Sequence, residues 1–259
     1  MASHLKTLLK LFQRKKAPPL ACHLSLDQDD NHVHTAACFL EVQPLALAEI
    51  FQSQGCAACA PAIPPILEAT QNPNLQVLTY DVTFFDHLGW PDTHANPRWD
   101  ERLKQYVKKW GRTSLYTPMV VVNGVADGGS GGGGREEIDA VVRRARDVAY
   151  VMDWHIYLDA NDTNVRIDSD KLQIARHDVL VVVYQDKTEV VKIGKGPNKG
   201  KKIPHRNVVT DIVKIGEWTG GDMIYDLPVA PSQMAPGTAA VVIVQEPVSG
   251  PIVAVTKIV

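Results

Sequence analysis

Two cysteines three positions apart, Cys56 and Cys59, carry the clearest chemistry in this chain. They follow the turn signal Ser53-Gln-Gly55 and open a segment of helical character that reaches about Thr70. A thiol at the first turn of a helix faces the positive end of the helix dipole and unpaired N–H groups, which favour the thiolate. The spacing predicts a dithiol in which Cys56 attacks a disulfide and Cys59 resolves the mixed disulfide.

The same Cys-x-x-Cys spacing also occurs in half of many zinc sites, so metal binding is an alternative. Zinc would need two further ligands, and none of the remaining candidates forms a second closely spaced cysteine pair. Those candidates are Cys22, Cys38, His32, His34 and His87. Two inert core cysteines are a third interpretation. We favour redox chemistry and expect neither a metal nor an organic cofactor.

A second motif, Thr117-Pro118, directly precedes the apolar run Met119–Val122 and the hairpin signal Asn123-Gly124. Thioredoxin-like folds place a cis-proline at this position, packed against the dithiol. The backbone of the preceding residue then offers a strand-like edge to a bound substrate. We therefore expect Thr117 and Pro118 to shape a substrate groove, with Gly55 and Trp90 beside it.

Glu49 lies seven residues before Cys56, on the strand that leads into the dithiol. A carboxylate partly buried near Cys59 would have a raised pKa and could accept the proton of the resolving thiol. Alternatively, Glu49 lies at the sheet edge with its carboxylate in solvent. The sequence leaves both interpretations open.

The elements that must position these residues alternate along the first half of the chain in the order β-α-β-α-β-β-α. Strands are predicted at 45–51 and 75–82, and helices at 56–70, 98–110 and 135–147. Beyond residue 150, short strand-like runs follow one another with turn signals between them, which is typical of a β-sandwich or barrel. We expect an α/β domain over 39–150 and an all-β, sandwich-like domain over 151–259, preceded by an unstructured leader over 1–38.

The bulk composition is that of an ordinary globular protein. The chain has 259 residues, a formal net charge of −2 and four cysteines, too few for a disulfide-stapled secreted scaffold. This balance does not favour a nucleic-acid partner, and no run approaches the roughly 18 apolar residues of a membrane span. The basic N-terminal segment lacks a secretory pattern. We expect a cytoplasmic protein, with a mitochondrial presequence as the alternative.

Two other motifs invite a phosphate or nucleotide interpretation. The run Gly129-Ser-Gly-Gly-Gly-Gly134 matches G-x-G-x-x-G only trivially, and the β-rich remainder provides no further β-α units for a dinucleotide fold. The segment Gly194-Lys-Gly-Pro-Asn-Lys-Gly-Lys-Lys202 fails the P-loop template because Lys195 and Lys202 replace its required glycine and hydroxyl residue. A mobile loop and a basic hairpin tip are the simpler interpretations. An anionic ligand or partner at the hairpin stays open.

Four blocks of the sequence together resemble a known family. They are Glu49-Ile-Phe-Gln-Ser-Gln-Gly-Cys56-Ala-Ala-Cys59-Ala-Pro61-Ala, Asp86-His-Leu-Gly-Trp90, Tyr116-Thr-Pro118 with Val122-Asn-Gly124, and Gly196-Pro-Asn198-Lys-Gly200 with His205-Arg-Asn207-Val-Val. In these blocks the chain resembles thioredoxin-like family 1223 of the domains of unknown function. The resemblance implies a thioredoxin-like fold with a β-rich appendage, and it implies no particular activity.

The chain departs from the family pattern near the dithiol. The family usually has two serines between the cysteines and two prolines after the second, where this chain has Ala57-Ala58 and Ala60-Pro61. Members commonly have a histidine where this chain has Asp81. A carboxylate near the dithiol would disfavour the thiolate, so this difference predicts a raised pKa for Cys56 and a slower nucleophile.

The sequence thus predicts a thioredoxin-like thiol–disulfide oxidoreductase that uses Cys56 and Cys59 on protein or small-molecule disulfides. The alternative from a different class is a non-catalytic interaction module, in which the β-rich half recognises a partner. Zinc binding through the dithiol is the third possibility. The sequence does not identify the substrate, the direction of electron flow or the oligomeric state.

Overall fold

The structure, a computed structural model, describes residues 44–128, 134–150 and 154–258. The leader predicted over 1–38, with Cys22, Cys38 and two of the candidate histidines, lies outside these residues, as does most of the glycine run. The described residues belong to one compact unit. Within the described part, no helix has the length and apolar character needed to cross a membrane.

The described residues contain strands and helices in the following chain order, with short 3-10 turns at Asp86–Leu88 and Pro231–Gln233. The elements are β1 (Ala46–Gln52), α1 (Cys59–Ala69), β2 (Leu75–Asp81), α2 (Pro97–Lys109), β3 (Met119–Val122), β4 (Ala126–Gly128), α3 (Arg135–Tyr150), β5 (Ile156–Ala160), β6 (Asn164–Ser169), β7 (His177–Lys192), β8 (Lys202–Trp218), β9 (Met223–Asp226), β10 (Thr238–Gln245) and β11 (Ile252–Lys257).

Eight of the strands form one mixed sheet in the order β11-β10-β7-β8-β2-β1-β3-β4. β1 is parallel to β2 and antiparallel to β3, and the long hairpin of β7 and β8 joins β2 where Thr79 pairs with Val208. The predicted boundary near residue 150 falls between α3 and β5. Strands from both sides of that boundary belong to this sheet.

The two faces of β1 are covered by different helices, because successive side chains of a strand point to opposite faces. Ala48 and Ile50 belong to an apolar cluster that also contains Cys56, Cys59 and residues of α1 and α3. Leu47 and Phe51 lie in a second cluster with residues of α2. The dithiol and α2 are therefore on opposite faces of the sheet.

Helix α2 agrees with the helix predicted over 98–110. Trp99, Leu103, Tyr106 and Val107 recur at helical spacing and are all buried against the sheet. Asn96 caps its first turn by accepting a hydrogen bond from the backbone N–H of Arg98 at 3.0 Å.

The remaining strands, β5, β6 and β9, form a three-stranded antiparallel sheet. Val165 and Ile167 of β6 share an apolar cluster with Val179 of β7 and Val242 of β10. The small sheet therefore buries its apolar side against strands of the large sheet.

Candidate active site

The dithiol lies in the turn between β1 and α1. The backbone N–H of Cys56 donates to the carbonyl of Ser53 at 3.1 Å, and that of Cys59 donates to the carbonyl of Cys56 at 3.2 Å. Helix α1 begins at Cys59 and not at Cys56 as predicted, because Ala57 and Ala58 form a turn before the helix. Both cysteines are free thiols.

The two thiols differ in access to solvent and in acidity. Cys56 is 4% exposed and Cys59 is 0% exposed, so Cys56 is the sulfur that a substrate can reach first. A hydrogen bond from the Cys59 thiol, opposed by burial, lowers the pKa of Cys56 to about 6, with further help from Thr117 and the N–H groups of Cys59 and Ala58. Burial and the neighbouring Cys56 sulfur raise the pKa of Cys59 far above its ordinary value.

The prediction that Asp81 raises the pKa of Cys56 is wrong, because that pKa is lowered. Asp81 is buried at the end of β2, where its Oδ1 lies 3.2 Å from Nε2 of His205 and accepts a hydrogen bond from Gln52 at 3.2 Å. Burial alone would lower the pKa of His205, but the charge and hydrogen bond of Asp81, together with the charge of Asp92 and the Ile203 carbonyl, outweigh it and raise that pKa. The Asp81 carboxylate thus acts on His205 and not on the dithiol.

Thr117 and Pro118 lie beside Cys56, and the peptide bond between them is cis. The Cys56 thiol donates to the carbonyl oxygen of Thr117, with 3.4 Å between the sulfur and the oxygen. The Thr117 hydroxyl is buried and has no partner while Cys56 carries its proton. A thiolate at Cys56 can accept a hydrogen bond from this hydroxyl, which is why Thr117 lowers the pKa of Cys56.

Of the other two residues expected at the groove, Gly55 is part of the loop that carries the dithiol and Trp90 contacts that loop. A Cβ atom on Gly55 would lie 2.8 Å from Cβ of Phe85 and 2.9 Å from its carbonyl oxygen, so only glycine fits this approach. The indole N–H of Trp90 donates to Oε1 of Gln54 at 2.9 Å.

Glu49 meets neither expectation. Its side chain is buried, not solvated, and it points to the face of the sheet that α2 covers, away from the dithiol. Nε of Arg102 donates to Oε1 of Glu49 at 2.7 Å, and the hydroxyl of Tyr106 donates to Oε2. Glu49 is thus one half of a buried ion pair and cannot accept the proton of Cys59.

Asn198 is a residue of the site that the sequence interpretation missed. Its side-chain amide donates to the carbonyl oxygen of Cys56 at 2.7 Å and to that of Gln54 at 2.9 Å, and the residue is fully buried. Nζ of Lys201 donates in turn to Oδ1 of Asn198 at 3.0 Å. Asn198 lies 142 residues after Cys56, so no local spacing indicates the contact.

An apolar contact holds the same hairpin against the start of α1. Ile193 and Ile203, at the two sides of the turn between β7 and β8, form a cluster with Ala60, and Trp90 packs against it. A Cβ atom on Gly194 would lie 2.7 Å from the ring of Trp90, so the chain at this glycine lies directly on the indole. The hairpin therefore covers one side of the dithiol loop.

A buried polar cluster contacts Gln54. Oδ2 of Asp92 accepts the backbone N–H of Gln54 at 2.7 Å, and Oδ1 accepts that of His94 at 2.9 Å. Burial, followed by the charge of Asp81, raises the pKa of Asp92 to about 7. The rings of His94 and His205 are 5.1 Å apart. This cluster fixes the backbone just before the dithiol through the N–H of Gln54, whereas Asn198 binds its carbonyl oxygen.

The described residues contain no group of three or more His, Cys, Asp and Glu side chains arranged to hold a metal ion. His87, one of the candidate zinc ligands, is exposed on the 3-10 turn that follows β2. The other four candidates lie outside the described residues.

The fold and site together define an α/β protein with a Cys-x-x-Cys dithiol between a strand and a helix. Residues 47–245 match the model of a family described as "Protein of unknown function (DUF1223)", and the chain belongs to that family. No curated protein is a significant match to the chain.

Two solved structures are similar. Protein AGR_C_4864 from Agrobacterium tumefaciens is 24% identical, with a TM-score of 0.65 over 84% of this chain and 95% of that one. HBP35 of Porphyromonas gingivalis is 11% identical, with a TM-score of 0.50 over 83% of this chain and 74% of that one. At these identities the likeness concerns the fold.

Proposed function

We propose that this protein is a thiol–disulfide oxidoreductase of thioredoxin type, with Cys56 as the attacking thiol and Cys59 as the resolving thiol. The observation that carries the proposal is the asymmetry of the pair. The more accessible sulfur has its pKa lowered to about 6, whereas the buried one keeps its proton. A dithiol needs this division of roles, because one sulfur must attack as a thiolate while the other stays protonated until it resolves the mixed disulfide.

The exchange proceeds in two displacements. The Cys56 thiolate attacks one sulfur of a disulfide, a bond forms between the two sulfurs, and the other half of the substrate leaves as a thiolate and takes up a proton. Cys59 then loses its proton and attacks Cys56, which releases the second half of the substrate as a thiol. Starting from the Cys56 thiolate, the protein gives up two electrons and the proton of Cys59, solvent supplies the second proton, and the protein ends as the Cys56–Cys59 disulfide; the reverse sequence oxidises a substrate dithiol.

The surroundings of the dithiol support this assignment. The carbonyl of Thr117, next to the cis peptide bond, lies 3.4 Å from the Cys56 sulfur and marks where a substrate backbone would pass. The order β1-α1-β2-α2-β3-β4-α3 is the one expected for a thioredoxin-like unit, and we propose that fold for this half of the chain. In this proposal, the strands after residue 150 form a β-sandwich-like appendage whose β7–β8 hairpin completes the site. We also propose the cytoplasm as location, since four cysteines suit a reducing compartment.

One observation favours a second candidate function. Cys56 is only 4% exposed, which suits a protein that uses the fold as a scaffold and binds a partner through its β-rich half. In that case neither cysteine reacts with a disulfide in solution.

Trapping the mixed disulfide distinguishes the two candidates. The variants Cys59→Ser and Cys56→Ser, each with Cys22 and Cys38 replaced by serine, are incubated with hydroxyethyl disulfide and analysed by mass spectrometry. We expect one hydroxyethylthio adduct on Cys56 in Cys59→Ser and none in Cys56→Ser. If neither variant forms an adduct, the oxidoreductase proposal fails and the scaffold function is favoured. An adduct only on Cys59 would reverse the assigned roles.

A further inference from the structure

Resting on the proposed function, we infer that the turn between β7 and β8 is a wall of the dithiol site and selects disulfides flanked by carboxylates. This segment, residues 192–202, is called the basic turn. The substrate class of the protein is then an anionic disulfide, for which glutathione disulfide is the simplest probe.

The basic turn is anchored to the dithiol loop itself. The Asn198 amide donates to the carbonyl oxygen of Cys56, and the apolar cluster at Ile193 and Ile203 contacts Ala60, the residue after Cys59. The turn therefore keeps a fixed position against the loop that carries the reacting sulfur.

The charge of the basic turn is of one sign. It carries five lysines, and no aspartate or glutamate occurs over residues 190–210. The dithiol loop over residues 53–60 has no charged side chain, so it does not offset these cations. The lysines are Lys192, Lys195, Lys199, Lys201 and Lys202, and all five are exposed.

At least one of these cations is close to the dithiol. Nζ of Lys201 is 3.0 Å from Oδ1 of Asn198, whose Nδ2 is 2.7 Å from the Cys56 carbonyl oxygen. With standard amide dimensions, Lys201 Nζ lies at most about 8 Å from that oxygen. This distance is comparable to the screening length of roughly 8 Å at physiological ionic strength, so its field reaches a substrate bound at Cys56.

Carboxylates in the neighbourhood do not cancel this charge. In the part of the chain that the structure describes, no ion pair joins a carboxylate to a lysine of the basic turn. Asp86 belongs to the loop that packs against the turn, and its Oδ1 accepts the backbone N–H of Asp92 at 3.0 Å. Glu189, three residues before the turn on β7, pairs with Lys187 at 2.7 Å, so the five lysines leave the turn positive.

A cluster of cations beside a reactive group raises the local concentration of anions and the rate of productive encounter, and added salt weakens the effect. The test compares the oxidation rate of the reduced protein, with Cys22 and Cys38 replaced by serine, by three disulfides. These are glutathione disulfide, which is anionic, hydroxyethyl disulfide, which is neutral, and cystamine, which is cationic.

We expect glutathione disulfide to react roughly tenfold faster than the neutral disulfide at low salt, after correction for their chemical reactivity with a free thiol, and cystamine to be slowest. The ratio should fall toward one at high salt. The variant Lys195→Gln/Lys199→Gln/Lys202→Gln should lose most of the preference at low salt. It leaves Lys201 and Asn198 in place, so the anchor of the turn is kept.

The matched control is Lys104→Gln/Lys108→Gln/Lys257→Gln, which removes the same charge from exposed positions on α2 and β11. This control should keep the preference for glutathione disulfide. An equal loss of this preference in both triple variants would overturn the proposed substrate class alone. So would a wild-type protein that reacts with all three disulfides at equal rates. A wild-type protein that reacts with none of the three would instead overturn the proposed function.

Discussion

The side-chain amide of Asn198 donates a hydrogen bond to the carbonyl oxygen of Cys56, 142 residues earlier in the chain, at 2.7 Å. A second bond from the same amide reaches the carbonyl of Gln54 at 2.9 Å. A single buried side chain thus fixes two consecutive turns of the loop that carries the dithiol. The Cys56 carbonyl that it holds also accepts the backbone N–H of Cys59 at 3.2 Å, and this N–H is one of the groups that help to lower the pKa of Cys56.

The variant Asn198→Asp should therefore raise the pKa of Cys56. The substitution keeps the shape of the side chain, removes both donated hydrogen bonds and brings a carboxylate close to the thiolate. We expect the pKa of Cys56 to rise from about 6 to about 7 or higher. The ultraviolet absorbance of the thiolate, followed through a pH titration, measures it.

The control for this prediction is Asn207→Asp. Asn207, on β8, also donates its side-chain amide to a backbone carbonyl, that of Val77 at 2.9 Å, but this bond does not reach the dithiol loop. It should lose stability with no change in the pKa of Cys56. Equal pKa values in Asn198→Asp and the wild type would show that the contact is merely structural.

The pH dependence of the dithiol follows from the lowered pKa of Cys56. An acid with a lowered pKa becomes ionised at lower pH, so the thiolate fraction should rise through a midpoint near pH 6 and reach about 90% at pH 7. The Cys59 thiol contributes most to this shift, so Cys59→Ala should move the midpoint up toward the ordinary cysteine value. Cys59→Ser keeps a hydroxyl donor and should stay closer to the wild type. A wild-type midpoint above pH 8 would contradict the assignment of Cys56 as the attacking thiol.

Thr117 should act through its hydroxyl, which is buried without a partner until Cys56 ionises. Thr117→Val has nearly the same shape but lacks the donor, so the pKa of Cys56 should rise and the rate of its alkylation near pH 6 should fall several-fold. Thr117→Ser keeps the donor and serves as the control. If valine and serine behave alike, the hydroxyl does not stabilise the thiolate.

Glu49→Gln should affect stability and leave the dithiol unchanged. The substitution leaves Arg102 buried without its ion partner, and we expect the free energy of unfolding to fall by about 3 kcal/mol or more. Urea denaturation measures this loss. The pKa of Cys56 and the rate at which Cys59 resolves a mixed disulfide should match the wild type. A stable variant with slow resolution would restore Glu49 as a proton acceptor.

Local patterns in the sequence identified the features that depend on near neighbours. The dithiol, the spacing of α2 and the position of Thr117 and Pro118 all lie within short segments whose residue types restrict the backbone. The side of the sheet to which Glu49 points could not be predicted from local patterns. Strand β1 is buried on both sides, so its apolar residues do not alternate with polar ones and give no indication of which helix a given side chain meets.

Local spacing does not predict contacts between segments that are distant in the sequence. The sequence around Asn198 predicts an ordinary basic hairpin tip, since nothing nearby indicates that the hairpin reaches the dithiol. The expected influence of Asp81 on Cys56 failed for the same reason. His205, 124 positions later in the chain, faces that carboxylate at 3.2 Å.

The most direct test of the central claim is the redox equilibrium of the Cys56–Cys59 pair. The chain with Cys22 and Cys38 replaced by serine is equilibrated in glutathione buffers of graded potential, alkylated and weighed by mass spectrometry. We predict one reversible two-electron transition between roughly −120 and −270 mV, the range of catalytic dithiols, and its loss in Cys56→Ser. Two thiols that stay reduced across the whole series would contradict the proposed function.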